Sequence, residues 1–514
     1  MRLTLADWLV VALYFLFNIG VGLYYKRRAS RDTAEFFLSG RNVPWWLAGT
    51  SMVATTFAAD TPLAVTGFVA KNGIAGNWLW WNMLASGMLT VFFYARLWRR
   101  SGVMTDIEFA EIRYAGPPAA FLRGFRALYL GLLINCIILG WVNLAMAKIL
   151  ELVFGISKGE ALWIVVGLIL LTSAISTLSG LWGVLVTDLF QFVIKMGMVI
   201  VLAVVAVEAV GGIDAMRVKL AAVDQLRGAT TGGRGSVLSF VPDVGSAWMP
   251  MITFFVYIAV NWWATWYPGA EPGGGGYVAQ RMLSAKDEKH SLLATLWFNI
   301  AHYAIRPWPW ILVALASLIL YPGLADPETG YVRVMVDHLP SSLRGLMVAA
   351  FAAAFMSTIA THLNWGASYL VNDFYRRFVR RGDSESHYVL MSRLATLVLT
   401  TVAVTTAVWL AVTYLTRPES EATLEAFYRR TRPSRTGWGP VAARAADVRP
   451  SADGLANLLD WFAGCVLVYG ALFGVGKLLL HETAPGVLLI AIATIAGVVI
   501  YRDLARRGWK TVVE

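Results

Sequence analysis

Gly49 to Gly67 reads GTSMVATTFAADTPLAVTG, an apolar stretch long enough to enter a bilayer that carries Thr55, Thr56, Asp60 and Pro62 near its middle. A carboxylate and a proline at membrane depth are costly. They are tolerated where a helix breaks and its freed backbone groups line a cavity, the way secondary transporters build ion and substrate sites. Asp60 argues against an ordinary kinked helix whose threonines bond their own preceding turn, because a bare carboxylate at that depth pairs or faces water. The stretch therefore predicts half of a site, and the rest of the chain is searched for the other half.

The surroundings fit a membrane setting. Of 514 residues, 58% are hydrophobic and 15% charged, and apolar runs of twenty or more recur throughout. The chain predicts an all-α polytopic membrane protein in the lipid bilayer. Its 22 Trp and 19 Tyr suit the two bilayer surfaces, although many pack between helices. The net charge of +11 sits in short clusters beside apolar spans, the pattern of inside-positive loops, so no nucleic-acid partner is expected. Cys136 and Cys465 both lie inside apolar runs and imply no disulfide framework. The first apolar run is long and ends in Lys26-Arg27-Arg28 without a small-residue cleavage site, so it reads as a span and not a cleaved leader.

Hydropathy predicts twelve spans, near 4–25, 44–70 (broken), 76–98, 120–153, 159–180, 183–211, 247–267, 288–321, 343–372, 386–416, 457–480 and 483–501. With the N-terminus outside, Lys26-Arg27-Arg28, Arg96 to Arg100 and Arg376 to Arg381 all fall on the cytoplasmic face. The rule then meets a conflict. One more crossing places 417–456 outside, yet that segment holds seven Arg between Arg417 and Arg449 against four acids. The basic tail with Arg502, Arg506 and Arg507 lands on the same side. Either the charge rule fails here or an odd number of crossings is missing before Arg417. The run 386–416 is too short for two spans. The expected organisation is a transmembrane core over 1–416, a basic connector over 417–456, and a helical hairpin with a basic tail over 457–514. The 212–246 connector reads as a loop.

Several other polar groups sit in apolar runs. Ser357 and Thr358, in Ala354-Phe355-Met356-Ser357-Thr358, offer adjacent hydroxyl oxygens of the kind hard cations want, and equally serve helix packing. Asp188 and Lys195 are seven apart, on one helical face but too far along it for a direct pair. His302, Arg306 and His362 are relay groups, solute groups or interhelical partners. Pro268, Pro272 and Gly273 to Gly276 end or break the seventh span. That glycine run lacks the lysine of a phosphate loop, and there is neither a zinc-spaced His/Cys set nor a nucleophile elbow, so no enzyme is expected.

In combination, Phe36 to Arg41 (FFLSGR), Pro44-Trp45-Trp46, the broken span, Thr187 to Gln191 (TDLFQ), Tyr277 to Leu283 (YVAQRML), AAAFMST and Asn372 to Arg377 (NDFYRR) resemble the sodium:solute symporters over about residues 1–400. The resemblance implies an inverted-repeat, leucine-transporter-like fold: a leading helix, then two related five-helix halves. It also implies Na⁺ as coupling ion, held by the carbonyls of Ala54, Phe57 and Ala354 and the hydroxyls of Ser357 and Thr358, where Thr replaces a frequent Ser. Asp188 matches an acidic residue near the inward sodium exit. Asn261, Trp262 and Trp263 fall where relatives place substrate-gate residues, and Asp60 lies about one turn beyond the sodium carbonyls, toward the solute. Similar proteins have further helices before the basic segment, so this chain reads as if the tenth core helix were missing and the second repeat incomplete.

The function expected is sodium-coupled symport of a small-molecule solute across the cytoplasmic membrane by alternating access, with no obligate protein partner. The rivals are a non-transporting or sensor-like protein that keeps the fold, and a proton-coupled carrier using Asp60 or Asp188. A sensor is expected to carry a soluble signalling domain, and no such domain precedes Glu514.

Overall fold

The computed structural model describes residues 3–231, 235–263, 271–340, 343–401 and 454–509, with short pieces at 428–429, 443–445 and 447–448. Helix α1 (Leu5–Ala29) opens the chain; its N-cap Thr4 and Asp7 close a reciprocal capping box. The short α2 (Thr33–Leu38) leads to α3 (Trp45–Thr56) and α4 (Thr61–Asn72), which meet at 60° across residues 57–60. Pro62 enforces this bend. It has no N–H to give, and its ring would clash with the Ala58 carbonyl of a continuous helix.

The third crossing runs through α5 (Trp78–Trp81), α6 (Leu84–Leu89), a π-turn at Thr90–Tyr94 and α7 (Ala95–Ser101). After α8 (Phe109–Arg113) come α9 (Gly116–Phe154) and α10 (Lys158–Ala209). The last is 52 residues long, about 78 Å as one rod, far beyond a bilayer. It turns at Gly180, whose φ of 56° and ψ of −156° suit only glycine. Both arms then line α1: a Cβ added at Gly22 would meet Ile175, while Gln191 bonds Asn18 and Tyr14. The two spans expected over 159–211 are therefore a hairpin.

The 212–246 connector departs from expectation, since Gly212–Thr231 is a helix, α11. Its charged face, with Asp214, Arg217 and Lys219, hid a helical period in a stretch of almost no net hydropathy. Of the seventh span predicted over 247–267, α12 covers Met251–Ala259 before a 3₁₀ turn at Asn261–Trp263, and 264–267 lie outside the described residues. Next come α13 (Gly276–Ser284), α14 (Glu288–Leu320) and an unpredicted α15 (Thr329–His338). The chain continues through α16 (Arg344–Val379), α17 (Glu385–Thr401), α18 (Gly454–Leu479) and α19 (Thr483–Arg506). Among the described residues seven helices are long and apolar enough to cross a membrane, or eight counting the α3/α4 pair. Most of the 417–456 connector lies outside the described residues.

The terminal hairpin packs on the third crossing in antiparallel order. Asn457 Oδ1 accepts from Arg96 at 2.7 Å, Trp461 donates to the Ala85 carbonyl at 2.9 Å and Tyr469 to the Trp81 carbonyl at 2.9 Å. Arg507 also reaches Asn457, at 2.9 Å. Both open ends of the hairpin thus share one end of the bundle with Arg96, the arrangement the charges ask for and a twelve-crossing count denies. The NDFYRR segment sits at that end too: Asp373 accepts from Arg123 and Thr105 at 2.7 and 2.6 Å, while Glu111 bridges Arg123 and Arg377.

Candidate functional site

The alanine-rich stretch of α16 lets it approach the α3/α4 break closely, and Ala349, Ala350 and Ala352 to Ala354 are all buried there. Ser357 and Thr361, one helical turn apart, share a face with Thr358 beside them. Thr358 donates to the Thr55 carbonyl at 3.0 Å and to its own-turn Ala354 carbonyl at 3.2 Å. Thr55 and Thr361 join hydroxyls at 3.0 Å. The break and the hydroxyl-bearing helix therefore form one site.

The second arm of α10 closes it. Asp188 is fully buried and accepts from Ser51 of α3 at 2.5 Å and Ser357 of α16 at 2.6 Å, so one carboxylate ties the two helices together. Arg281 of α13 lies 3.9 Å from it and also bonds Thr361, Ser51 and Gln280. Two turns on from Asp188, the Lys195 ammonium donates to the Ala54 carbonyl at 2.8 Å and the Phe57 carbonyl at 3.3 Å, and lies 5.1 Å from the Phe57 ring centre.

On the other side of the break, Thr56 accepts from Arg306 at 2.8 Å and contacts His302 at 3.0 Å. The Arg306 guanidinium lies 5.1 Å from the Trp310 ring and 6.0 Å from Trp80. Asp60 caps the start of α4 in position only: its side chain makes no capping bond, and it stays part-exposed. These groups form a polar and aromatic patch toward the solute side predicted for Asp60.

The sodium:solute symporter family profile matches residues 36–415. The chain belongs to the sodium:solute symporter family. Relatives within it include the Bos taurus sodium/mannose cotransporter, 26% identical over 78% of this chain and 69% of its own length. The Vibrio parahaemolyticus sodium/glucose cotransporter is 25% identical over 78% and 74%. Human sodium/glucose cotransporter 4 is 26% identical over 77% and 60%. The chain thus spans between 60% and 74% of the length of these relatives. In fold it resembles a Na⁺-coupled sialic acid symporter solved in a substrate-bound outward-open state, with a TM-score of 0.62 at 17% identity over 99% of both chains. The architecture is the all-α, leucine-transporter-like one. These relatives are carriers, and this family member is no enzyme.

The structure gathers Ala54, Phe57, Ala354, Ser357, Thr358 and Asp188, the set that the resemblance implies. It does not bring Asn261, Trp262 and Trp263 there. Asn261 bonds Asn82 at 3.3 Å, Trp262 packs on Trp461 of α18, and Trp263 is exposed.

Whether the set fits Na⁺ is decided by Lys195. The hydroxyls of Ser357 and Thr358 keep lone pairs after donating their protons. The carbonyls of Ala54 and Phe57 instead already hold a cation. A second unit charge 4 Å from the ammonium would be repelled by about 4 kcal/mol at an effective dielectric near 20. With Lys195 bonded where it is, the residues do not fit a free Na⁺. Sequence reasoning named Lys195 but not this contact, because seven-residue spacing to Asp188 says nothing about what the side chain meets on another helix.

Proposed function

We propose that this chain carries a small polar solute across the cytoplasmic membrane by alternating access, around the break between α3 and α4. The observation that carries this is the convergence of the broken pair, the hydroxyl face of α16 and the buried Asp188 at one point. Each can trade partners as the helices rock, and differential contacts in two states are what alternating access requires. Family membership and the Na⁺-coupled neighbour support sodium-coupled symport. Lys195 favours a second reading, in which the coupling position is filled by the chain itself.

The Thr56, His302, Arg306 and Trp80 cluster, with Asp60 beside it and the buried Trp310 behind it, suits hydroxyl-bearing or acidic solutes: Arg306 brings a guanidinium and Trp80 a part-exposed indole. Relatives are named for mannose and glucose, and the structural neighbour for sialic acid. The test is solute counterflow in proteoliposomes of the purified chain, across labelled sugars, polyols, sugar acids and amino acids. Counterflow needs no ion gradient. Accumulation of at least one class, lost on Arg306→Ala, is expected; no exchange with any class would leave the non-transporting reading in its place.

A further inference from the structure

We propose that Lys195 is a tethered cation: its ammonium replaces free Na⁺ at the Ala54/Phe57 carbonyls, so that this chain binds no Na⁺ there. Three observations carry it. The ammonium bonds two carbonyls at the broken end of α3: that of Ala54 at 2.8 Å, which also accepts from the Phe57 N–H at 3.2 Å, and that of Phe57 at 3.3 Å, with the Phe57 ring centre 5.1 Å away. The space beside it is apolar and small: Phe57, Pro62, Val199, Met347, Phe351 and Ala354 line with Lys195 a partly open cleft of about 10 Å³, room for one water at most. The charge is already balanced, or more than balanced. Asp188 is the carboxylate nearest the site, with Arg281 3.9 Å from it and Lys195 two turns along the same helix, while Arg306 stands beyond Thr56 and Asp60 flanks the break. A free Na⁺ would add a further positive charge to a buried cluster in which Lys195, Arg281 and Arg306 already outnumber Asp188 and Asp60.

The replacement also changes what the position links. A free ion held by Ala54, Phe57, Ala354, Ser357 and Thr358 would join the break to α16. Lys195 joins the break to the second arm of α10 instead, and leaves the junction with α16 to Thr358 on the Thr55 carbonyl, to the Thr55 and Thr361 hydroxyls, and to Asp188 between Ser51 and Ser357. The link is covalent at one end, so it can open and close with the helices but cannot diffuse away.

The test measures ²²Na⁺ binding to the purified full-length protein in nanodiscs, with choline as the balancing cation. The wild type is expected to show no saturable binding up to physiological sodium. Lys195→Ala, or Lys195→Met if the alanine weakens folding, is expected to gain binding about tenfold tighter than any shown by the wild type. Adding Ser357→Ala and Thr358→Ala should abolish it again. Saturable wild-type binding that those two substitutions remove would overturn the proposal, and so would failure of both Lys195 variants to gain any. The consequence for transport, sodium-independent counterflow, rests on the carrier reading. If no solute exchanges, that reading falls while the binding result still decides the role of Lys195.

Discussion

Asp188 and Lys195 lie seven residues apart on one helix, about 10 Å along its axis at 1.5 Å per residue, with no hydrogen bond between them. If they belong to one electrostatic site, their attraction at an effective dielectric near 20 is about 1.7 kcal/mol. A double-mutant cycle isolates it. Asp188→Asn is the conservative probe, since an amide still accepts from Ser357 and can donate to Ser51, so the hydrogen bonds survive in number while the charge is lost. Alone it leaves Lys195 and Arg281 buried without their shared anion. Arg281 at 3.9 Å feels this most, about 4 kcal/mol of lost attraction by the same arithmetic, partly offset by the relieved desolvation of the carboxylate. Lys195→Met keeps the length of the stem and removes the charge. Stabilities of wild type, both single variants and the double variant, measured by reversible unfolding in bicelles, should show the double variant less destabilised than the sum by about 1 to 2 kcal/mol. Additivity to within about 0.5 kcal/mol would refute the claim that these two groups share a site.

Other consequences are open to direct measurement. A Cβ at Gly476 of α18 would overlap the Trp308 indole of α14, so Gly476→Ala should cost about 1 to 3 kcal/mol and free the terminal hairpin to proteolysis; unchanged digestion would show that the hairpin docks elsewhere. Burial would raise the Glu111 carboxyl, but bonds from Arg377 and Arg123 outweigh it and hold the group below its ordinary 4.5. A depressed carboxyl stabilises the fold above 4.5 and loses that contribution as the pH falls through its lower folded value, so thermal stability should hold from pH 7 to about 5 and then decline. Glu111→Gln should flatten that decline, and an equally steep acid loss in the variant would contradict the assignment. Single cysteines at Arg381 and Arg506, in a background lacking Cys136 and Cys465, should react with an impermeant maleimide from the same side of the membrane; labelling from opposite sides would contradict the shared end of the bundle.

What could be seen beforehand divides along physical lines. The broken span was legible because Pro62 and Asp60 violate the helix rule and the bilayer rule at the same place, and two violations in one short stretch leave few constructions. The hydroxyl pair at Ser357 and Thr358 was ambiguous by itself, since the same groups pack helices, and gained meaning only from the close approach that the alanines of α16 allow. The α11 helix was missed because its apolar stripe of Ile213, Met216 and Leu220 is diluted by charged and polar neighbours. Asn261 to Trp263 lie apart from the break, on Asn82 and Trp461, because position in a motif fixes sequence distance and not which neighbours the side chains meet. Lys195 is the instructive case. Its cost at membrane depth leaves a relay or solute group and a satisfied interhelical partner equally open, because a long flexible stem can carry its charge to any of several neighbours. Here it carries that charge to the Ala54 and Phe57 carbonyls at the broken end of α3. The break and the lysine therefore explain each other: carbonyls at a helix end need donors, and a buried ammonium needs acceptors. In this member of the sodium:solute symporter family, both needs are met within one chain.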